Sequence, residues 1–228
     1  MRRRARPRPA PGACAERRLT APPIVLASAS PRRRELLAAL GVAFTVDAAE
    51  IDERSAERDP VRLAEGLALC KARAVAARHP QAVVVGSDTV VALDGRLLGK
   101  PVDAAEARAM LRALRGRAHA VVTGVVVIYG AQETAAHART AVTMRDYGDD
   151  EVEAFIASGS PFDKAGGYAS QDPVFAPTAR LDGCACAVVG LPLWTLLRLL
   201  RSLDVAASPP SLARCATCPE RDAEADAR

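Results

Sequence analysis

An alternation narrows the fold most. From Pro23 onward, short β-rich runs trade places with helical stretches, and two β-rich runs, Ala118–Tyr129 and Ala136–Met144, are long and adjacent. Strands that alternate with helices form parallel pairs joined by crossovers. Two long neighbouring runs with Gly130-Ala131-Gln132 turning between them form a hairpin instead. A chain with both habits builds a mixed β-sheet with flanking helices, in the α/β class.

The remaining elements follow from local signals. Ile24–Ala27 reads as a first strand and residues 31–40 as a helix that stops at Gly41. Phe44–Val46 forms a short strand. Asp59 caps, and Pro60 opens, a helix to about Arg78. Ala82–Gly86 reads as a buried strand, and Val90–Leu93 with Arg96–Leu98 as a hairpin around Asp94-Gly95. Asp103 starts a helix to Leu114, and Asp149 caps one that ends near Ser158-Gly159. Ala185–Val189 reads as a late strand and Leu193–Leu203 as a final amphipathic helix.

Half of the residues are hydrophobic but only 4% are aromatic, so the core is built from Ala, Val and Leu. No apolar run reaches the roughly 20 residues that span a bilayer, which argues against a membrane partner. Residues 1–18 carry seven arginines and one glutamate, a local charge of +6, and the other 210 residues sum to −2. That arm is the sole feature that invites nucleic acid. The expected organisation is a disordered Arg/Pro-rich extension over 1–22, one domain over 23–204 and a disordered tail over 205–228. Of the six cysteines, Cys184 and Cys186 would share one face of a strand, with a metal site as the lesser reading, and Cys215-x-x-Cys218 lacks a second pair at zinc-finger spacing. With no secretory signal in the opening stretch, the expectation is reduced thiols in a cytoplasmic protein.

Four segments carry chemistry. In Ser28-Ala29-Ser30-Pro31-Arg32-Arg33 a strand turns through small hydroxyl residues into a helix, with Ser30 as N-cap and Pro31 at the first position. Free N–H groups and the helix dipole attract phosphate there. Two arginines in the first turn oppose the dipole unless an anion sits between them. A capped helix with solvated arginines is the plainer reading. Asp88, in Gly86-Ser87-Asp88-Thr89, is expected at a strand's carboxyl end, where it can hold a divalent cation or orient a water; a turn aspartate is the alternative. Glu50-Ile51-Asp52-Glu53 adds three carboxylates, the oxygen donors that a hard cation takes; a solvated acidic loop is the alternative. Lys71 and Lys100 are point charges for phosphate, or surface lysines. The fourth segment, Asp163 to Gln171, has adjacent glycines that let backbone approach a ligand, and a glutamine able to read a base edge; a tight structural turn is the alternative.

Taken together, Ser28–Arg33, Ile51-Asp52-Glu53, Leu69-Cys70-Lys71-Ala72, Gly86–Val91, Gly99-Lys100-Pro101, Thr123-Gly124-Val125, Asp163–Gln171 and Gly190-Leu191-Pro192 resemble the Maf family of nucleoside triphosphate pyrophosphatases. The resemblance covers about residues 24–203. It implies two lobes around an anion-binding cleft, as in inosine triphosphate pyrophosphatases, and hydrolysis between the α and β phosphates. By position, Asp88 looks like the proton acceptor, and Ser28, Ser30 and Arg33 the phosphate cradle. Lys71 and Lys100 would neutralise charge, and Glu53 would join Asp88 in handling Mg²⁺ or Mn²⁺. Arg32, Thr89 and Gln171 resemble the set in members that act on dTTP and UTP. Ser170, Asp172 and Ala187 depart from the usual pattern. The resemblance also implies a homodimer. Rival readings keep the reaction but take 7-methyl-GTP or a non-standard purine, or make the chain a non-catalytic nucleotide-binding regulator of cell division.

Overall fold

A computed structural model describes residues 21–48 and 50–224, so the expectations for the arginine arm and Cys14 lie outside the described residues. The strands are β1 (Ile24–Leu26), β2 (Phe44–Val46), β3 (Val83–Leu93), β4 (Arg96–Leu98), β5 (Ala118–Tyr129), β6 (Gln132–Met144) and β7 (Thr178–Asp182). The helices are α1 (Pro31–Ala38), α2 (Pro60–Ala76), α3 (Ala104–Leu114), α4 (Asp149–Ala157), α5 (Ala185–Val189) and α6 (Leu193–Ser202). They form the expected α/β arrangement with one mixed sheet, ordered β2-β1-β3-β5-β6-β7, with β4 also on β3.

Strand β3 organises the molecule. Its whole length pairs antiparallel with β5, but its other edge is shared. Val83–Val85 lie beside β1 in parallel, and Val91–Leu93 beside β4 in antiparallel. Strand β1 cannot run further because Pro31, with no N–H to give, starts a helix five residues after Leu26. Among the described residues no strand covers residues 86–90 on that edge, and a cleft opens there.

The pleat sorts the side chains of β3. Val83 and Val85 pack with Leu36 and Leu37 of α1 and Leu196 and Leu200 of α6. Farther along the same face, Val91 and Leu93 pack with α3 and α4 through Leu111, Leu114 and Phe155. These two clusters are the two lobes. The opposite face carries α2, which buries Ala68, Ala72 and Val75 against Val84 and Val126. This helix lies unusually close. A Cβ added at Gly86 would sit 2.4 Å from the Ala68 carbonyl oxygen, and one at Gly124 would sit 2.5 Å from the Ala64 carbonyl carbon and oxygen. Neither glycine has a positive φ, so close approach of helix to sheet is their structural role.

Three expectations are corrected. The runs at 82–86 and 90–93 are one continuous strand, so Asp88 lies mid-strand and faces the gap between β1 and β4 instead of a strand's carboxyl end. Ala185–Val189 is a helix, and the late strand is Thr178–Asp182. A short apolar run fits a buried helix or strand equally well, and the Cys184 cap and positive-φ Gly190 favour the helix. Gly148, not Asp149, is the cap of α4: its N–H donates to Glu151 at 2.8 Å, while Asp149 pairs with Arg112 and Arg115. The described residues of the tail lie against the core. The N–H groups of Ser208 and Ser211 donate to Leu40 and Ala39 at 3.0 Å each, and Trp194 Nε1 donates to the Cys215 carbonyl at 2.9 Å. Its partners sit far off in sequence, so its Pro/Ala-rich composition alone looked structureless.

Candidate active site

The cleft beside residues 86–90 has a volume of about 720 Å³. All ten residues expected from the sequence to form the site line it: Ser28, Ser30, Arg32, Arg33, Glu53, Lys71, Asp88, Thr89, Lys100 and Gln171. They arrive on the β1–α1 turn, the β2–α2 loop, α2, β3, the β4–α3 loop and the segment after α4.

At the centre is an ion-pair chain. Lys71 Nζ lies 2.5 Å from Asp88 Oδ1 and 2.7 Å from Glu53 Oε1, and Lys100 Nζ lies 3.8 Å from Glu53 Oε2. The Lys71 and Asp88 side chains are only 10% and 12% exposed, so neither charge is tolerable without the other. The glycines at 86 and 124 explain how they meet. Asp88 stands opposite Gly124 in the β3–β5 register, and the close approach of α2 brings Lys71 within reach. Partial burial works against ionisation of Glu53, but the hydrogen bond from Lys71 and the charges of Lys71, Lys100 and Arg33 hold its carboxyl below the ordinary value.

Arg33 braces the opposite wall. Its Nε donates to the Gly190 carbonyl at 2.9 Å, Nη1 to Ser28 Oγ at 3.2 Å and Nη2 to Thr89 Oγ1 at 3.3 Å. Burial lowers its pKa, and the charge of Asp88 opposes that shift. Three of its five N–H groups are therefore spent inside the protein and two remain for a ligand. Ser30 Oγ accepts from Arg33 N at 3.4 Å, the cap read from sequence. Thr89 Oγ1 also lies 2.9 Å from Thr123 Oγ1. Arg32 reaches Asp163 at 3.2 Å, and Lys164 bonds the same carboxylate. Gln171 stands exposed at the rim, with Ser170 Oγ 3.2 Å from its Oε1.

Not every acidic residue of the β2–α2 loop joins in. Asp52 is turned to Arg54, which it meets at 2.8 Å, and of the three carboxylates only Glu53 lines the cleft. Sequence reasoning also passed over a buried pair. His119 Nε2 lies 2.5 Å from the hydroxyl of Tyr168, a cleft-lining residue, and their rings meet edge to face. Burial pushes the His119 imidazole down to about 4, with a backbone hydrogen bond at Arg117 opposing. Tyr168 lay in the glycine-containing segment; no local signal marked His119. A hard cation would find two carboxylates here, Asp88 and Glu53. That is the donor number Mg²⁺ takes when substrate phosphates and waters complete its shell.

A family model described as Maf-like protein matches residues 23–203. A dTTP/UTP pyrophosphatase of Thermomicrobium roseum is 51% identical over 211 residues, covering 90% of this chain and 97% of its own. The protein of the same description from Deinococcus radiodurans is 51% identical over 188 residues, covering 82% and 96%. That from Myxococcus xanthus is 49% identical over 178 residues, covering 78% and 90%. Among the described residues, no helix is long and apolar enough to cross a membrane.

Proposed function

The chain belongs to the Maf family, and on that premise we propose that it is a nucleoside triphosphate pyrophosphatase acting on dTTP and UTP. The products are the nucleoside monophosphate and pyrophosphate, and the role is removal of unwanted or modified pyrimidine nucleotides. The observation that carries this reading is the chain Asp88–Lys71–Glu53–Lys100, set across one cleft from Arg33 and the Ser28–Ser30 turn. The relatives' descriptions supply the nucleotide.

In this reading a water attacks the α phosphorus, its proton passes to Asp88, and the bond to the bridging oxygen breaks with pyrophosphate leaving. Lys71 holds Asp88 and Glu53 together against their mutual repulsion. Lys100, half-exposed at the mouth, and the two free N–H groups of Arg33 meet the phosphate oxygens. Ser28 and Ser30 fix the turn that presents Arg33. Mg²⁺ or Mn²⁺ held by Asp88 and Glu53 would neutralise phosphate charge and lower the pKa of a coordinated water. Thr89 and Arg32 are engaged with protein partners and act on specificity by shaping the wall. Gln171 is exposed at the rim, and supports direct reading of the base. Family likeness supports a cytoplasmic homodimer.

The test is pyrophosphate release from dTTP, UTP, CTP, GTP, 7-methyl-GTP and ITP, with Mg²⁺, with Mn²⁺ and with EDTA. The expected result is kcat/KM for dTTP and UTP above the purines by about 10-fold or more, because a site built to pair a base edge leaves polar groups unpaired with the wrong base. Activity is also expected to vanish in EDTA. Preference for 7-methyl-GTP, or no release from any nucleotide, overturns the reading.

A further inference from the structure

Away from the cleft, four cysteines from two distant segments come together in the core. Cys184 and Cys186 flank the start of α5, Cys215 and Cys218 lie in the tail, and all four are between 1% and 6% exposed. Cys186 Sγ and Cys215 Sγ are 3.4 Å apart. Cys184 interacts with Cys218 side chain to side chain, and Cys184 with Cys186 and Cys215 with Cys218 lie within electrostatic reach of each other. Two thiol pairs, Cys186 with Cys215 and Cys184 with Cys218, thus bring the two segments together. None of the four lines the cleft.

We propose that Cys184, Cys186, Cys215 and Cys218 are a structural metal site for a thiophilic divalent cation, zinc in particular, which clamps the tail to the core. Four thiolates from two short motifs are a ligand set that soft-ligand chemistry assigns to zinc, and C-x-x-C is one of its usual half-sites. The second half-site, C-x-C, escapes a sequence scan because only the fold brings it alongside. The Ala187 N–H donates to Cys184 Sγ at 3.4 Å, a hydrogen bond that favours the thiolate. The tail also needs such a fastening. Over 205–222 its buried or half-buried apolar side chains are few (Val205, Ala207, Leu212 and the cysteines), too little apolar area to hold 18 residues in place.

As the side chains stand, no group of three or more His, Cys, Asp or Glu among the described residues is placed to hold a metal ion, so loading requires the four thiols to rearrange. Four metal–sulfur bonds form and four thiol protons leave to solvent, and at about 2.3 Å per bond a tetrahedral site spreads its sulfurs to about 3.8 Å. The 3.4 Å pair needs to open by a few tenths of an ångström. The consequence reaches the cleft, because α5 ends at Gly190, whose carbonyl Arg33 and Ser87 both approach at 2.9 Å.

Full-length protein, purified reduced from zinc-replete cells and washed with EDTA, is assayed for metal by mass spectrometry. The expected content is about one zinc per chain, falling below about a tenth in Cys215→Ser/Cys218→Ser. Since that variant can misfold, cobalt(II) is also loaded into the unaltered protein. Sulfur-to-cobalt charge transfer together with intense tetrahedral d–d bands is expected, and carboxylates such as Asp88 cannot produce the former. Zinc below about a tenth per chain with no thiolate–cobalt spectrum overturns the proposal, as does an intact mass showing two disulfides in the protein as isolated.

Discussion

Replacing Gly124 with alanine puts the link between core packing and the candidate site to a direct test. The new Cβ would lie 2.5 Å from the carbonyl carbon and oxygen of Ala64 and 2.7 Å from Glu65 N. Ordinary contact begins near 3.4 Å. The obstacle is helix backbone and not a flexible side chain, so α2 must retreat by about 0.9 Å. Overpacking of this kind costs about 1–3 kcal/mol. For a domain of this size that lowers Tm by about 2–12 °C. The same retreat draws Lys71 away from Asp88, stretching a 2.5 Å contact toward about 3.4 Å and the edge of hydrogen bonding. A shift near 1 Å at a catalytic group costs on the order of 100-fold in rate. Gly66→Ala is the control: it lies exposed in the middle of α2 with nothing within 4 Å of the added carbon, and should stabilise by about 0.5–1 kcal/mol with activity unchanged. Thermal melts and pyrophosphate release read both effects. A Gly124→Ala protein with an unaltered Tm refutes the packing argument. A lowered Tm with wild-type kcat/KM refutes the claim that this glycine sets the Lys71–Asp88 distance.

Three further outcomes are expected. Asp88→Asn should lower turnover by about 100-fold or more, the scale of losing a positioned proton acceptor, with little change in fold by circular dichroism; near-full activity removes Asp88 from that role. Gln171→Glu should erode the ratio of kcat/KM for dTTP over GTP more than it lowers kcat, if this exposed rim residue reads the base and not the phosphates as proposed. Buried His119 should contribute a pH-dependent stability. The unfolded chain takes up a proton near pH 6.5, while the folded chain resists until about 4. That contribution is intact above 6.5, declines as pH falls through the interval and is gone below about 4. Unfolding free energies from urea melts should thus fall further between pH 7 and 4.5 for the native chain than for His119→Phe, by up to about 2–3 kcal/mol. Equal drops in the two proteins contradict the burial argument.

Much of this was legible beforehand, for a specific reason. The β1–α1 turn, the Asp59-Pro60 helix start, the Asp94-Gly95 hairpin and the long β5–β6 pair are all signalled by residues within a few positions of one another. Their physics is local. The ten residues that line the cleft were named beforehand as well, through a family resemblance whose motifs lie in order along the chain. Legibility failed where the deciding contact was remote. Ala185–Val189 satisfies strand and helix patterns alike until Thr140 and the sheet around it fix the Cys184 cap. His119 sits in an ordinary β run until Tyr168 folds over it.

By itself, then, the sequence determined the α/β class, the position of most elements and the chemical inventory of the cleft, since capping, turn formation and residue type act over a handful of bonds. Tertiary structure alone decided that Asp88 stands mid-strand in a gap left between β1 and β4, and that Gly86 and Gly124 let α2 deliver Lys71 to it. It also decided that a seemingly structureless tail returns two cysteines to two others. Each of these depends on which distant surfaces come to share the same volume, a matter of packing that no local pattern encodes.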